Sequence, residues 1–187
     1  MGYSGGTKEN PTYRDLGDHS ETVQIDYDPR KISYEELLDV FWKSHAPGAP
    51  SWSRQYRAAV FFHSEEQRRI ALQTRDRVAA GLQGRVVTEI LPASRFYLAE
   101  DYHQKYFLRQ VPELFREFSA VYPRLADLVA STAAARVNGY VAGYGDLPAL
   151  EADLPGLGLS QAGARKLLTR VRAAGPPGAA AGCPLVR

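Results

Sequence analysis

A chain of 187 residues, 44% hydrophobic and 11% aromatic, can fill the core of one domain or of a domain with an appendage, which excludes a wholly disordered protein. A formal net charge of +2 is too small to argue for a nucleic-acid or membrane surface. The single cysteine, Cys183, excludes an internal disulfide, and no apolar run approaches the roughly 20 residues of a membrane span.

Gly5–Glu21 (GGTKENPTYRDLGDHSE) reads as a long polar loop that carries Tyr13, His19 and Glu21 straight into a strand. Thr22–Tyr27 alternates, with Val23, Ile25 and Tyr27 on one face, and predicts a half-buried strand. Ser33 and Glu36 form a capping box for a helix to about Ser44. His45–Gln55 is a second loop. Arg57–Phe62 (RAAVFF) has the continuous apolar character of an interior strand. Ser64 opens a long helix to about Leu82, and Arg85–Leu91 follows as a β-branched strand. The alternation predicts an α/β sandwich, with helices on a small sheet. Ala99–Arg109 reads as a helix. From Val111 alanine and leucine rise, and helices are expected over Pro112–Tyr122, Arg124–Val137 and Ser160–Ala173, with Asn138-Gly139 as a C-cap. Tyr140–Asp146 is a glycine-rich turn region. The last stretch, GPPGAAAGCPLVR, is a low-complexity tail expected to be disordered.

Glu21 lies at the mouth of a strand, where burial would make it a candidate proton donor. Tyr13 and Tyr56 lie at loop–strand positions and can donate hydrogen bonds to a polarised oxygen. One Glu and two Tyr in loops are, on their own, far more often ordinary surface residues. The four histidines (His19, His45, His63 and His103) lack metal-ligand spacing, so no metal site is expected. Tyr140–Asp146 lacks the Lys and the preceding strand of a phosphate-binding loop, and no Ser/His/Asp arrangement stands out.

Six collinear strings carry more weight together: GYSGGTKENPTY (Gly2–Tyr13), HSE (His19–Glu21), DYDPRKISYEELLDVFWKSH (Asp26–His45), RQYRAAVFF (Arg54–Phe62), TEI (Thr88–Ile90) and FYLAEDYHQKY (Phe96–Tyr106). In this order they resemble the peptide methionine sulfoxide reductase A family over about residues 2–107. The resemblance implies a two-layer α/β sandwich around a small mixed sheet, ferredoxin-like, with an α-helical C-terminal extension. It implies reduction of the S epimer of methionine sulfoxide, free or in proteins, as repair of oxidative damage. In that family a cysteine thiolate attacks the sulfoxide sulfur, a glutamate protonates the oxygen and tyrosine hydroxyls hold it. The resulting sulfenic acid is resolved as a disulfide, and thioredoxin restores the enzyme. Carried over by motif, the glutamate is Glu21 and the tyrosines are Tyr13 and Tyr56.

The family's Gly-Cys-Phe-Trp nucleophile motif stands about thirty residues before the NPTY string, and this sequence starts after that point. The first strand and helix of the fold would then be missing, and the 187 residues are expected to be inactive as written. An absent central strand would also bare the edge of the AVFF strand and leave the chain marginally stable and aggregation-prone. Ser51 stands where an acidic residue is usual. That difference, the short GDHSE loop and the helical extension resemble a eukaryotic branch of the family. Cys183 is a possible resolving thiol or a free thiol in the tail. The expected division is 1–110 as the reductase-like domain, 111–174 as the helical extension and 175–187 as the tail. No bound cofactor is expected, with thioredoxin or dithiothreitol as reductant. The expected partners are oxidised proteins or free methionine sulfoxide, for a cytoplasmic monomer that binds neither nucleic acid nor membrane. The alternative is a non-catalytic module that binds methionine sulfoxide or serves interactions.

Overall fold

The computed structural model describes residues 1–82 and 84–174. The chain divides into two compact units, Met1–Glu100 and the residues from Asp101 onward. In the first unit β1 (Gly2–Ser4) lies between β2 (Ser20–Thr22) and β5 (Tyr97–Leu98), antiparallel to both. Tyr3 stands opposite Glu21 on one side and Tyr97 on the other, and is almost fully buried. The sequence reading places no strand at residues 2–4. Three residues are too short for a periodic signal, and it is the two flanking strands that make this segment a strand.

The second sheet is a parallel pair, β3 (Ala59–Phe62) with β4 (Glu89–Pro92), joined through α2 (Glu65–Gly81) as parallel strands require. α1 (Tyr34–Lys43) packs on α2, and its capping box forms as read: Glu36 N–H donates to Ser33 Oγ at 3.2 Å, and Ser33 N–H donates to Glu36 Oε2 at 2.8 Å. The core between them holds Leu38, Trp42, Val60 and Ala71. Within it the Trp42 indole N–H donates to Thr74 Oγ1 at 3.0 Å, and the Thr74 hydroxyl donates to the Ala71 carbonyl.

The mixed α/β character is present, but the strands form two small sheets rather than one. Three strand expectations change with that. The Thr22–Tyr27 alternation yields only β2, ending at Thr22; Val23 and Ile25 are 58% and 57% exposed. Alternation makes a strand only where a neighbour takes its ladder bonds. Among the described residues β2 has one ladder neighbour, β1. For the same reason β3, read as interior, pairs on one side alone among the described residues, and the strand expected from Arg85 begins at Glu89, where β3 lies beside it.

The second unit is helical: α3 (Tyr106–Arg109), α4 (Pro112–Val121), α5 (Leu125–Ala130), α6 (Thr132–Val141), α7 (Leu147–Asp153) and α8 (Gln161–Ala174). They enclose Leu108, Leu114, Val137, Leu150 and Leu167, all with no exposed surface. The helix expected over Ala99–Arg109 is instead a 3-10 turn (Asp101–His103), a left-handed Lys105 (φ 51°) and the short α3. Asn138 shows why. It was read as a C-cap with Gly139, yet both lie inside α6, and the Asn138 carboxamide oxygen accepts the Leu108 N–H at 3.1 Å. A side chain thirty residues away supplies the acceptor that a fourth-preceding carbonyl would have supplied in a continuous helix. The expected helix over Arg124–Val137 breaks at Ser131, whose hydroxyl accepts the Ala134 N–H and caps α6. α7, not anticipated, is capped by Asp146 and carries Pro148 in its first turn. The tail expected over 175–187 lies outside the described residues. No helix among the described residues is long and apolar enough to cross a membrane.

Thr74→Val would keep the shape of the first core but strand the buried Trp42 N–H. The expected loss is about 1–3 kcal/mol in urea unfolding, whereas Thr74→Ser should stay within about 1 kcal/mol of the parent.

Candidate functional site

Glu21 projects from the middle of β2, and its Oε1 accepts a 2.7 Å hydrogen bond from the Gln55 carboxamide. Gln55 and Tyr56 lie on a single 3-10 turn, Arg54–Tyr56, where Ser53 Oγ accepts the Gln55 N–H as a cap. This turn is tied to β2 through one hydroxyl. Ser20 Oγ donates to the Arg54 carbonyl at 3.0 Å and accepts from Arg57 Nε at 2.7 Å. The Arg57 guanidinium also donates to the Gly5 carbonyl (3.0 Å) and to Glu89 Oε2 (3.2 Å), and its side chain is 9% exposed. Gly5 has a left-handed backbone (φ 80°), and a Cβ there would lie 2.6 Å from both the guanidinium and the Phe61 ring, so glycine is required.

Tyr13 arrives from the other side, on a tight turn in which Thr12 and Asp15 exchange backbone hydrogen bonds and Lys8 pairs with Asp15 at 2.7 Å. The Tyr13 N–H donates to Glu100 Oε1 at 3.0 Å. The Tyr56 pKa is pushed up to about 12, chiefly by its interaction with the Tyr13 side chain, then by burial and by the nearby Tyr13 and Glu21. Tyr56 is therefore a neutral hydroxyl across the physiological range. Glu21, Tyr13 and Tyr56, read separately from the sequence, are thus brought to one place. Glu21 is half-buried rather than enclosed. A cavity of about 400 Å³ opens on its β2 side, lined by Val23, Ile25, Leu38, Phe41, Val60 and Phe61 among others, and does not reach the two tyrosines.

The loop between them is held by the neighbouring Asp18-His19 pair. Asp18 accepts the Thr7 and Lys8 N–H groups (2.8 and 3.1 Å) and the Thr7 hydroxyl, and these bonds hold its pKa far below the usual carboxylate range. His19 is buried. Its Nδ1 accepts the Gly6 N–H at 3.2 Å, so the proton sits on Nε2 and is donated to the Lys8 carbonyl at 2.7 Å. His19, without a role from sequence alone, is a loop clasp.

Ser51 turns back into its own loop, donating to the Ser53 carbonyl and accepting the Ser53 N–H, and does not reach Glu21. Trp52 is 80% exposed, with its ring 5.1 Å from that of Tyr56. Cys183 lies outside the described residues. Among the described residues no group of three or more His, Cys, Asp or Glu could hold a metal ion. Sequence reasoning missed Gln55, Arg57, Asp18 and Glu100. The first two flank Tyr56 in the RQYR string.

Two outcomes are expected. Tyr13→Phe should drop the Tyr56 titration from about 12 toward the ordinary tyrosine value of about 10, read by NMR of labelled tyrosine. For Asp18 the folded pKa is depressed, so its contribution is present above about pH 4 and is lost as pH falls below it. The wild-type melting temperature should exceed that of Asp18→Asn at pH 7, and the gap should narrow, without closing, at pH 3.

The family model for peptide methionine sulfoxide reductase matches residues 1–132, and that for the helical domain of selenoprotein methionine sulfoxide reductase A matches residues 126–164. A peptide methionine sulfoxide reductase of Drosophila melanogaster is 40% identical over 165 residues, covering 86% of this chain and 65% of that protein. The peptide methionine sulfoxide reductase A5 of Arabidopsis thaliana is 42% identical over 147 residues, covering 75% and 57%. The chain thus spans less than two thirds of the length of these relatives. The reduced form of Mxr1 from Saccharomyces cerevisiae superposes with a TM-score of 0.55 at 28% identity, over 60% of this chain and 70% of that one. Family match, relatives and fold agree: the chain belongs to the peptide methionine sulfoxide reductase family.

Proposed function

We propose that the cluster of Glu21, Tyr13 and Tyr56 is the oxygen-binding half of a methionine sulfoxide reductase site. The observation that carries this reading is the convergence of two tyrosine hydroxyls and one carboxyl from three separate segments. A sulfoxide oxygen is a strong acceptor. The Tyr13 and Tyr56 hydroxyls suit it as donors. Its departure as water consumes protons, and Glu21, oriented by Gln55, is the group placed to deliver one.

The overall reaction is balanced by two thiols: sulfoxide plus two thiols gives thioether, disulfide and water. One thiolate attacks the sulfoxide sulfur, the oxygen leaves as water, and a second thiol closes the disulfide. The described residues include no cysteine, so the proposal for this chain extends to holding the oxygen and transferring the proton. The substrate class is methionine sulfoxide in peptides, taken as the S epimer. The reductant is a dithiol such as thioredoxin or dithiothreitol, no bound cofactor is required, and the compartment is cytoplasmic.

The test uses residues 1–187 and a short peptide with one methionine sulfoxide. Exposed Trp52, packed against Tyr56, serves as the fluorescent reporter of binding. The expected result is a saturable change that favours the sulfoxide over the thioether peptide. Tyr56→Phe and Glu21→Gln should each weaken it about tenfold, the loss of one hydrogen bond with a polarised partner. No turnover with dithiothreitol is expected. Equal binding of sulfoxide and thioether peptides would overturn the reading. Turnover abolished by Cys183→Ser would instead make Cys183 the nucleophile.

A further inference from the structure

Glu100 was assigned no role by its sequence context, yet its carboxylate holds two parts of the site together. Oε1 accepts the backbone N–H of Tyr13 at 3.0 Å, and Oε2 accepts the Tyr3 hydroxyl at 2.5 Å. Tyr3 is 1% exposed and lies in β1, directly opposite Glu21 of β2. A continuous connection therefore runs from the Glu21 backbone, across the ladder to Tyr3, through the Tyr3 ring to Glu100, and on to the backbone of Tyr13. The turn that carries Tyr13 is also held by the Thr12–Asp15 exchange and the Lys8–Asp15 pair, both local to the loop. The Tyr13 side chain also packs against Tyr3 and Leu16, but packing alone sets the distance of a hydroxyl loosely.

We infer that Glu100 is a positioning residue, and that its carboxylate sets the Tyr13 hydroxyl against Tyr56 and Glu21. Its importance for sulfoxide binding rests on the function proposed above; its effect on Tyr13 does not. The role is geometric rather than electrostatic. A glutamine at this position can accept the Tyr13 N–H through its oxygen and donate to the Tyr3 oxygen through its nitrogen, so both connections survive without charge.

The experiment compares wild type with Glu100→Ala, Glu100→Gln and Tyr3→Phe, all in the full chain. The first readout is the Tyr56 phenol titration by NMR of labelled tyrosine, which needs no ligand. Wild type should titrate at about 12. Glu100→Ala should move the value toward the ordinary tyrosine value of about 10, Tyr3→Phe should move it part of the way, and Glu100→Gln should leave it near wild type. The second readout is the dissociation constant for the methionine sulfoxide peptide, expected to rise about tenfold in Glu100→Ala and less than twofold in Glu100→Gln.

A folded Glu100→Ala that still titrates at about 12 overturns the inference. So does a Glu100→Gln as impaired as the alanine variant, which would make the charge the active feature. Should Glu100→Ala not fold, Tyr3→Phe decides: it removes one oxygen atom and one hydrogen bond, and an unshifted Tyr56 titration in it overturns the inference. A shifted titration in proteins that bind no sulfoxide peptide supports the positioning role and overturns the sulfoxide reading alone.

Discussion

The hydroxyl of Ser20 is the point on which the first unit turns. It is buried, donates to the Arg54 carbonyl and accepts from Arg57 Nε. Those two bonds join the strand that carries Glu21 to the turn that carries Gln55 and Tyr56. They also join the antiparallel sheet to the segment leading into the parallel one, since Arg57 immediately precedes Ala58 and β3. Among the described residues no backbone ladder connects the two sheets. Side-chain bonds to a buried guanidinium do this work instead, and the Arg57–Gly5 bond adds the start of the polar loop to the same junction. Such charge-assisted bonds are stronger than neutral ones, and their fork geometry fixes direction as well as distance.

From that junction the site is assembled by two routes. One runs along the chain: Ser20 is followed by Glu21, and Arg54 by Gln55 and Tyr56. The other runs through space: Tyr3 opposite Glu21, Glu100 on the Tyr3 hydroxyl, Tyr13 on Glu100. Asp18 and His19 add a third restraint by holding Gly6, Thr7 and Lys8. The long polar loop is therefore anchored at successive points by carboxylates, an imidazole and a backbone turn. Its polar composition serves those anchors, because each loop N–H drawn from water needs an acceptor. Tyr56 shows the consequence. The Tyr13 side chain, burial and the nearby Glu21 together push the Tyr56 pKa above the ordinary tyrosine value.

The helical unit follows a simpler logic. Its core of Leu108, Leu114, Val137, Leu150 and Leu167 is apolar throughout, and its helix ends are capped by local side chains at Ser131 and Asp146. Three longer-range bonds stand out. Glu117 of α4 accepts both the N–H and the hydroxyl of Ser160 just before α8, and Asn138 of α6 accepts the Leu108 N–H at α3. Buried polar termini are satisfied by whichever acceptor the packing brings near.

The sequence by itself determined the elements whose signals are local. The capping box at Ser33 and Glu36, the long α2, the start of α4 and the amphipathic α8 all form close to where their patterns place them, because a cap and an i, i+4 stripe involve residues within one or two turns. Motif order also singled out Glu21, Tyr13 and Tyr56. Only the tertiary structure decided where alternation becomes a strand, since ladder bonds need a neighbour: Val23 and Ile25 stay outside β2, and Gly2–Ser4 becomes a strand between two others. Only the tertiary structure decided that Ala99–Arg109 is broken, that Asn138 caps α3 rather than its own helix, and that Glu100, Arg57 and Gln55 hold the site. A side chain's partner across thirty or ninety residues is chosen by packing, and packing leaves no periodic trace in the chain.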